Sequence, residues 1–167
     1  GIGDEIEVYK ANMIIPQIAS NNTKSGKIDI PKICPVCGEQ TVIKQENQVK
    51  SLYCVNEECQ AKKIKLYTHF VSRDAMNIDG LSEETLMKFI DRGYIHEFSD
   101  IYHLDRYEDE IVNAKGFGRK SYDNLIEAIE KSRNTTLVRL IYSMGIPNIG
   151  LSNAKMICRH FDNDLNR

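Results

Sequence analysis

Four of the five cysteines fall in two close pairs, Cys34-Pro35-Val36-Cys37-Gly38 and Cys54-Val55-Asn56-Glu57-Glu58-Cys59, with sixteen residues between Cys37 and Cys54. A Cys-x-x-Cys turn aims two sulfurs at one point. The Gly38 that follows lets the backbone take a positive φ and turn its amides toward them. Two such pairs, separated by a hairpin with strands at 41–43 and 52–54, match a tetrahedral zinc site of Cys34, Cys37, Cys54 and Cys59. Four thiolates close the coordination shell, so one zinc ion there would hold the fold and leave no position for a reacting water. Two disulfides, buried cysteines used as small hydrophobes and an iron–sulfur cluster are the alternatives. A redox Cys-x-x-Cys would want a βαβ setting, which the surrounding pattern lacks. Lone Cys158 is expected in a helical core.

The second chemical signal is a weak internal repeat in the C-terminal half. Its copies are Asn77-Ile78-Asp79-Gly80-Leu81-Ser82, Ala114-Lys115-Gly116-Phe117-Gly118 and Pro147-Asn148-Ile149-Gly150. Gly80, Gly116 and Asn148 align as one turn position, and Ser82, Gly118 and Gly150 as the next, with an apolar residue between them. Thr85, Ser121 and Asn153 then share a place in the first turn of the following helix. This is the pattern of a helix-hairpin-helix. A tight turn leaves backbone N–H groups unpaired, and the helix that starts there adds its own free N–H groups and the positive end of its dipole. Together they form an anion site that needs little side-chain charge. The middle copy is richest, because Lys115, Arg119 and Lys120 flank it. The alternative for any single copy is a plain glycine C-cap. Such hairpins would hold DNA phosphates without reading bases.

The elements that position these residues are of two kinds. Glu5–Tyr9 alternates polar and apolar residues and reads as a strand. The run 12–18 reads as a second strand, with Pro16 suited to an edge. Two strands bury no core alone, so they are expected to end a sheet domain that starts upstream. A turn-rich linker, Ser20–Gly26, follows. From Lys62 the pattern is helical, with stripes over Glu83–Ile90, Ser121–Ser132, Leu137–Met144 and Ser152–Phe161. Leu125, Ile129, Ile141 and Met144 are expected in the core. The fold class is therefore α+β, mainly α.

Composition bounds the partners. The 167 residues are 41% hydrophobic and 28% charged, which excludes a disordered chain. No run approaches the roughly 18 apolar residues of a membrane span. Gly1-Ile2-Gly3-Asp4-Glu5 carries no apolar signal core, so a reducing cytoplasmic setting is expected. The net charge of −2 argues against binding by bulk positive charge, which leaves localised phosphate contacts.

A strand pair, a four-cysteine knuckle and tandem hairpins in this order resemble the C-terminal half of bacterial NAD-dependent DNA ligase. Gly3-Asp4-Glu5-Ile6-Glu7-Val8 with Ile14-Ile15-Pro16-Gln17-Ile18 is similar to the end of that family's OB-fold. Cys34, Cys37, Cys54 and Cys59 resemble its zinc site. The run from His69 to Leu81, with Arg73 in it, resembles the junction into its first hairpin. Gly118-Arg119-Lys120-Ser121 resembles its Lys-Ser stretch, and 145–150 its next hairpin. The family often has Pro after the last zinc cysteine, where Gln60 stands here. Lys27-Ile28-Asp29-Ile30 imitates only part of its Lys-x-Asp-Gly nucleophile motif.

The resemblance implies three parts. These are an OB-fold remnant and linker at 1–30, a zinc finger at 31–66 and a helix-hairpin-helix domain at 67–167, cut before a fourth hairpin. It implies a monomeric, nucleoid-associated enzyme of replication and repair that seals nicked double-stranded DNA. NAD and Mg²⁺ would bind in domains not present here, and an adenylation domain, the rest of the OB-fold and a BRCT domain would complete the chain. This piece would be catalytically inactive. Its DNA contacts would be Gly116, Gly118, Arg119, Lys120 and Ser121, supported by Gly80, Asn148 and Gly150, with Arg73 as a further contact or a junction salt bridge. A stand-alone repair adaptor and a DNA glycosylase are the competing classes.

Overall fold

The computed structural model describes residues 1–27, 30–46 and 48–162. The chain divides into two compact units, Gly1–Glu57 and Glu58–Arg167.

The first unit is built from two antiparallel hairpins. Strands β1 (Ile6–Ala11) and β2 (Ile15–Asn21) pair with Ala11 opposite Ile15 and a register shift between Glu7 and Val8. Their tight turn places both Asn12 and Met13 at positive φ, which gives the reversed twist a hairpin prefers. Pro16 lies in β2, and each strand of a two-stranded sheet is an edge, where a missing N–H is tolerated. Strands β3 (Thr41–Glu46) and β4 (Val49–Cys54) pair in register, with Thr41 opposite Cys54.

The second unit is helical. It holds α1 (Gln60–Val71), α2 (Glu83–Asp91), a 3-10 segment (Phe98–Tyr107), α3 (Glu108–Val112), α4 (Arg119–Ser132), α5 (Leu137–Ser143) and α6 (Leu151–His160). Local chemistry sets several starts. The Ser82 hydroxyl accepts from the Thr85 amide and caps α2, whose first turn carries Glu83 and Glu84. Thr136 caps α5 in the same way through the Arg139 amide. Glu97 and Asp100 form a capping box ahead of the 3-10 segment. Gln60 is the first residue of α1, the position where proline is also well tolerated, and its amide reaches Asp91 at 3.0 Å.

One hydrophobic core joins α1, α2, the 3-10 segment, α3 and α4 through Phe70, Leu86, Phe89, Ile101, Ile111 and Leu125. Leu125 and Ile129 are fully buried, as their spacing predicts, and Cys158 is buried on α6. Ile141 is half-buried. Met144 is the exception: at 38% exposure it stands on the surface, at the end of α5, which packs mainly against α6. The architecture is α+β and mainly helical. Among the described residues no helix is long and apolar enough to cross a membrane.

Candidate metal centre and phosphate-binding turns

The cysteine site begins with backbone geometry. Gly38 has φ +76° and donates its N–H to the Cys34 carbonyl at 3.0 Å. The Cys34 N–H donates to Glu39 at 2.7 Å and closes the knuckle. Strand β4 ends at Cys54, and the Val55 N–H donates to Gln40 at 2.9 Å. Cys59 caps the start of α1. The sulfurs of Cys34, Cys37, Cys54 and Cys59 all lie within 4.8 Å of one another.

No disulfide joins them; the Cys37 and Cys54 sulfurs are 3.4 Å apart, well beyond the roughly 2.05 Å of a bond. The backbone N–H groups of Cys37 and Val36 point at the Cys34 sulfur and pull its thiol down to about 6. Burial, with the Cys37 and Cys34 sulfurs alongside, pushes the Cys54 thiol up to about 12. Four thiols packed this closely cannot all ionise without a cation among them. A soft divalent ion supplies that charge, and zinc–sulfur bonds of about 2.3 Å set sulfurs at separations of this order. The donor set therefore fits zinc.

The repeat aligned in the sequence is a repeat of backbone conformation. Gly80, Gly116 and Asn148 all take positive φ, at +96°, +87° and +64°. Ser82, Gly118 and Gly150 are all the N-cap residues of the next helix. The second and third turns close alike, with Phe117 N–H donating to Ala114 at 2.9 Å and Ile149 N–H to Ile146 at 3.0 Å. In the third turn Pro147 and Asn148 hold the two central positions of a type II turn, where proline and a left-handed residue belong. The Asn153 side-chain amide donates to the Asn148 carbonyl at 2.7 Å and braces that turn.

The copies differ in what is left for a ligand. In the first, Ser82 occupies the amide of Thr85 with its own hydroxyl, so one donor is already used. Gly118 and Gly150 have no side chain to do this, and the first amides of α4 and α6 stay open. The first and second turns are neighbours. A cavity of about 340 Å³ lies between Asp79, Gly80, Gly116, Phe117, Ser121 and Asn124. A Cβ on Gly80 would sit 3.4 Å from Leu125, so that turn lies close against α4.

Side-chain charge is distributed differently from the sequence pattern. Arg119, expected to face a phosphate, donates to Glu108, lies 3.8 Å from Asp123 and sits over the Tyr122 ring. The Glu108 carboxylate raises its already high pKa further. Lys115, Lys120 and Ser121 are exposed beside the same turn. Arg73 is exposed and makes none of the ion pairs found among the described residues; its carbonyl accepts from Arg139, which also donates to Ala75 at 2.7 Å.

The third turn, which brings no cation of its own between Gly145 and Ala154, lies against α1. A cleft of about 450 Å³ there is lined by Lys62, Lys65, Leu66, His69, Asn148 and Gly150, among others. The sequence pattern passed over these lysines. Their spacing with His69, three and four residues apart, marked one helix face and did not say what it met. Ile28 and Asp29 of the partial Lys-x-Asp-Gly match lie outside the described residues.

No family model matches the chain. Curated relatives match it throughout. It is 61% identical to a protein named DNA ligase from Ruminiclostridium cellulolyticum and 59% identical to one from Lachnoclostridium phytofermentans, in both cases over all 167 residues. A Bacillus licheniformis DNA ligase is 38% identical over 95% of the chain. The chain spans about a quarter of the length of these relatives.

Proposed function

We propose that this chain is the zinc-finger and helix-hairpin-helix segment of a bacterial NAD-dependent DNA ligase, and that it clamps nicked duplex DNA through its phosphates. The observation that carries the reading is the match along the whole chain to proteins named DNA ligase. The three left-handed turns, each feeding a helix, supply the chemistry. Backbone amides at Gly116, Gly118–Ser121, Asn148 and Gly150, which the turn-closing bonds of Phe117 and Ile149 leave open, donate to phosphate oxygens, and helix dipoles add positive potential without a basic surface. Gly80 supports the same grip, weakened by the Ser82 cap. Contacts of this kind read no bases, so binding is independent of sequence.

Cys34, Cys37, Cys54 and Cys59 hold one zinc ion, whose role is to tie β3, β4 and the start of α1 together. In this reading residues 1–30 end an OB-fold, 31–66 form the finger and 67–167 the hairpin domain. Adenylation by NAD, Mg²⁺ binding and any BRCT contacts belong to other segments of a monomeric, cytoplasmic enzyme of replication and repair. The chain itself supplies binding and orientation of the duplex.

The test is complementation. Joining the chain to an adenylation domain with an intact OB-fold should restore sealing of nicked duplexes of unrelated sequence, and the chain alone should form no AMP adduct with NAD. A fusion that adenylates itself but fails to seal, with no DNA binding by the added segment, overturns the reading.

A further inference from the structure

The geometry points to a composite phosphate site at the third turn, in which Lys62 and Lys65 of α1 supply the cations that residues 145–154 lack. The ligand is a phosphodiester of the duplex backbone, so the inference rests on the DNA-binding reading above and adds to it two residues outside any hairpin.

Three observations converge. Lys62, Lys65, Leu66 and His69 lie on one face of α1, at the three- and four-residue spacing that stacks side chains, and that face lines the cleft against the third turn. The two elements are locked together. The His69 Nε2–H donates to the Tyr142 carbonyl at 2.7 Å, and a Cβ on Gly145 would come within 2.8 Å of Leu66. The lysines are also uncompensated: among the described residues neither makes an ion pair, although Lys62 is half-buried. An arriving phosphate therefore has no salt-bridged carboxylate to displace from either lysine.

The second turn presents the opposite case, because its Arg119 is already held by Glu108 and a phosphate must first displace that carboxylate. Across the cleft, Gly150 opens a ten-residue helix with no side-chain cap, so no side chain occupies the first amides of α6. Two cations and the backbone of the Asn148–Gly150 turn thus border one cavity, built from elements about eighty residues apart in the chain.

The test uses the full-length protein carrying Lys62→Gln and Lys65→Gln, with binding to nicked duplex followed across salt concentration. Each lost phosphate contact flattens the slope of log K against log [salt] by about 0.9. The double variant should therefore lose about 1.8 from the slope and roughly tenfold in affinity per lysine near 0.1 M salt. Lys62→Arg with Lys65→Arg should restore both. The pair Lys10→Gln and Lys88→Gln, which removes the same charge elsewhere, should leave the slope unchanged. Circular dichroism and zinc content identical to the parent protein confirm that each variant is folded. An unchanged slope in the Lys62 and Lys65 variant, or an equal loss in the Lys10 and Lys88 control, overturns the composite site while leaving the DNA-binding reading in place. A parent protein that does not bind duplex DNA overturns both.

Discussion

In the two hairpins before Glu57, Cys34 is the one buried apolar residue among those described, while Met13 is 86% exposed and Ile14 82%. From Ile64 onward the balance reverses, and Phe70, Leu86, Phe89, Ile101, Leu104, Ile111 and Leu125 are all sealed from solvent. The helices carry their own hydrophobic driving force, worth roughly 25 cal/mol for each Å² of apolar surface removed from water. The hairpins carry almost none, and an isolated two-stranded hairpin is marginal in water. One part of this molecule is held by a core. The other, in the ligase reading, depends on a metal cross-link and on neighbouring strands laid against its exposed isoleucines.

The comparison breaks most directly at the metal. Chelation, or Cys37→Ser, should melt the β3–β4 hairpin while α1–α6 persist, because structural zinc in small finger peptides contributes about 10–16 kcal/mol of binding free energy. Residue-resolved NMR before and after chelation reads this out. Elemental analysis should find one zinc per chain, and a metal-free chain with β3–β4 intact would erase the distinction. The reciprocal blow is Leu125→Ala, which empties the helical core beside Gly80. It should cost about 2–5 kcal/mol in denaturant unfolding of the helices and leave the zinc content untouched.

Surface charge should matter less to stability and more to binding. Glu108→Gln releases Arg119, and the slope of DNA affinity against salt should steepen by up to about 0.9 as one more cation reaches phosphate. No change would mean that Arg119 never faces DNA. The smallest effect expected is at Asp100. The N–H groups of Glu97 and His96 hold its carboxyl below the usual carboxylate range. Its stabilising contribution is therefore complete above its unfolded value, near about 4, and fades as pH falls through its lower folded value. Asp100→Ala should remove that part of the acid dependence, and urea titrations at several acidic pH values would show an unchanged curve if the bonds carry no weight.

Much of this was legible in the residues because the signals are local. A Cys-x-x-Cys turn followed by Gly38 needs only its own backbone to gather sulfurs. The alignment of Gly80, Gly116 and Asn148 anticipated three left-handed residues because φ is decided mainly by the residue and its neighbours. The stripes over α2, α4, α5 and α6 were read nearly to their ends. The 3-10 segment Phe98–Tyr107 and the five-residue α3 escaped, since the former is broken at His103 and lacks the 3.6-residue period, and the latter is too short for that period to stand out.

The sequence by itself determined the two cysteine pairs, the three turns and the helices between them, all products of spacing within a few residues. Only the tertiary structure decided how charge is shared among the turns. Glu108 reaches Arg119 across a turn, and Lys62 and Lys65 meet Asn148 and Gly150 across a packed interface held by His69 and Gly145. Coulomb attraction acts through space and not along the chain, so the charge available at each turn depends on which helix packs beside it.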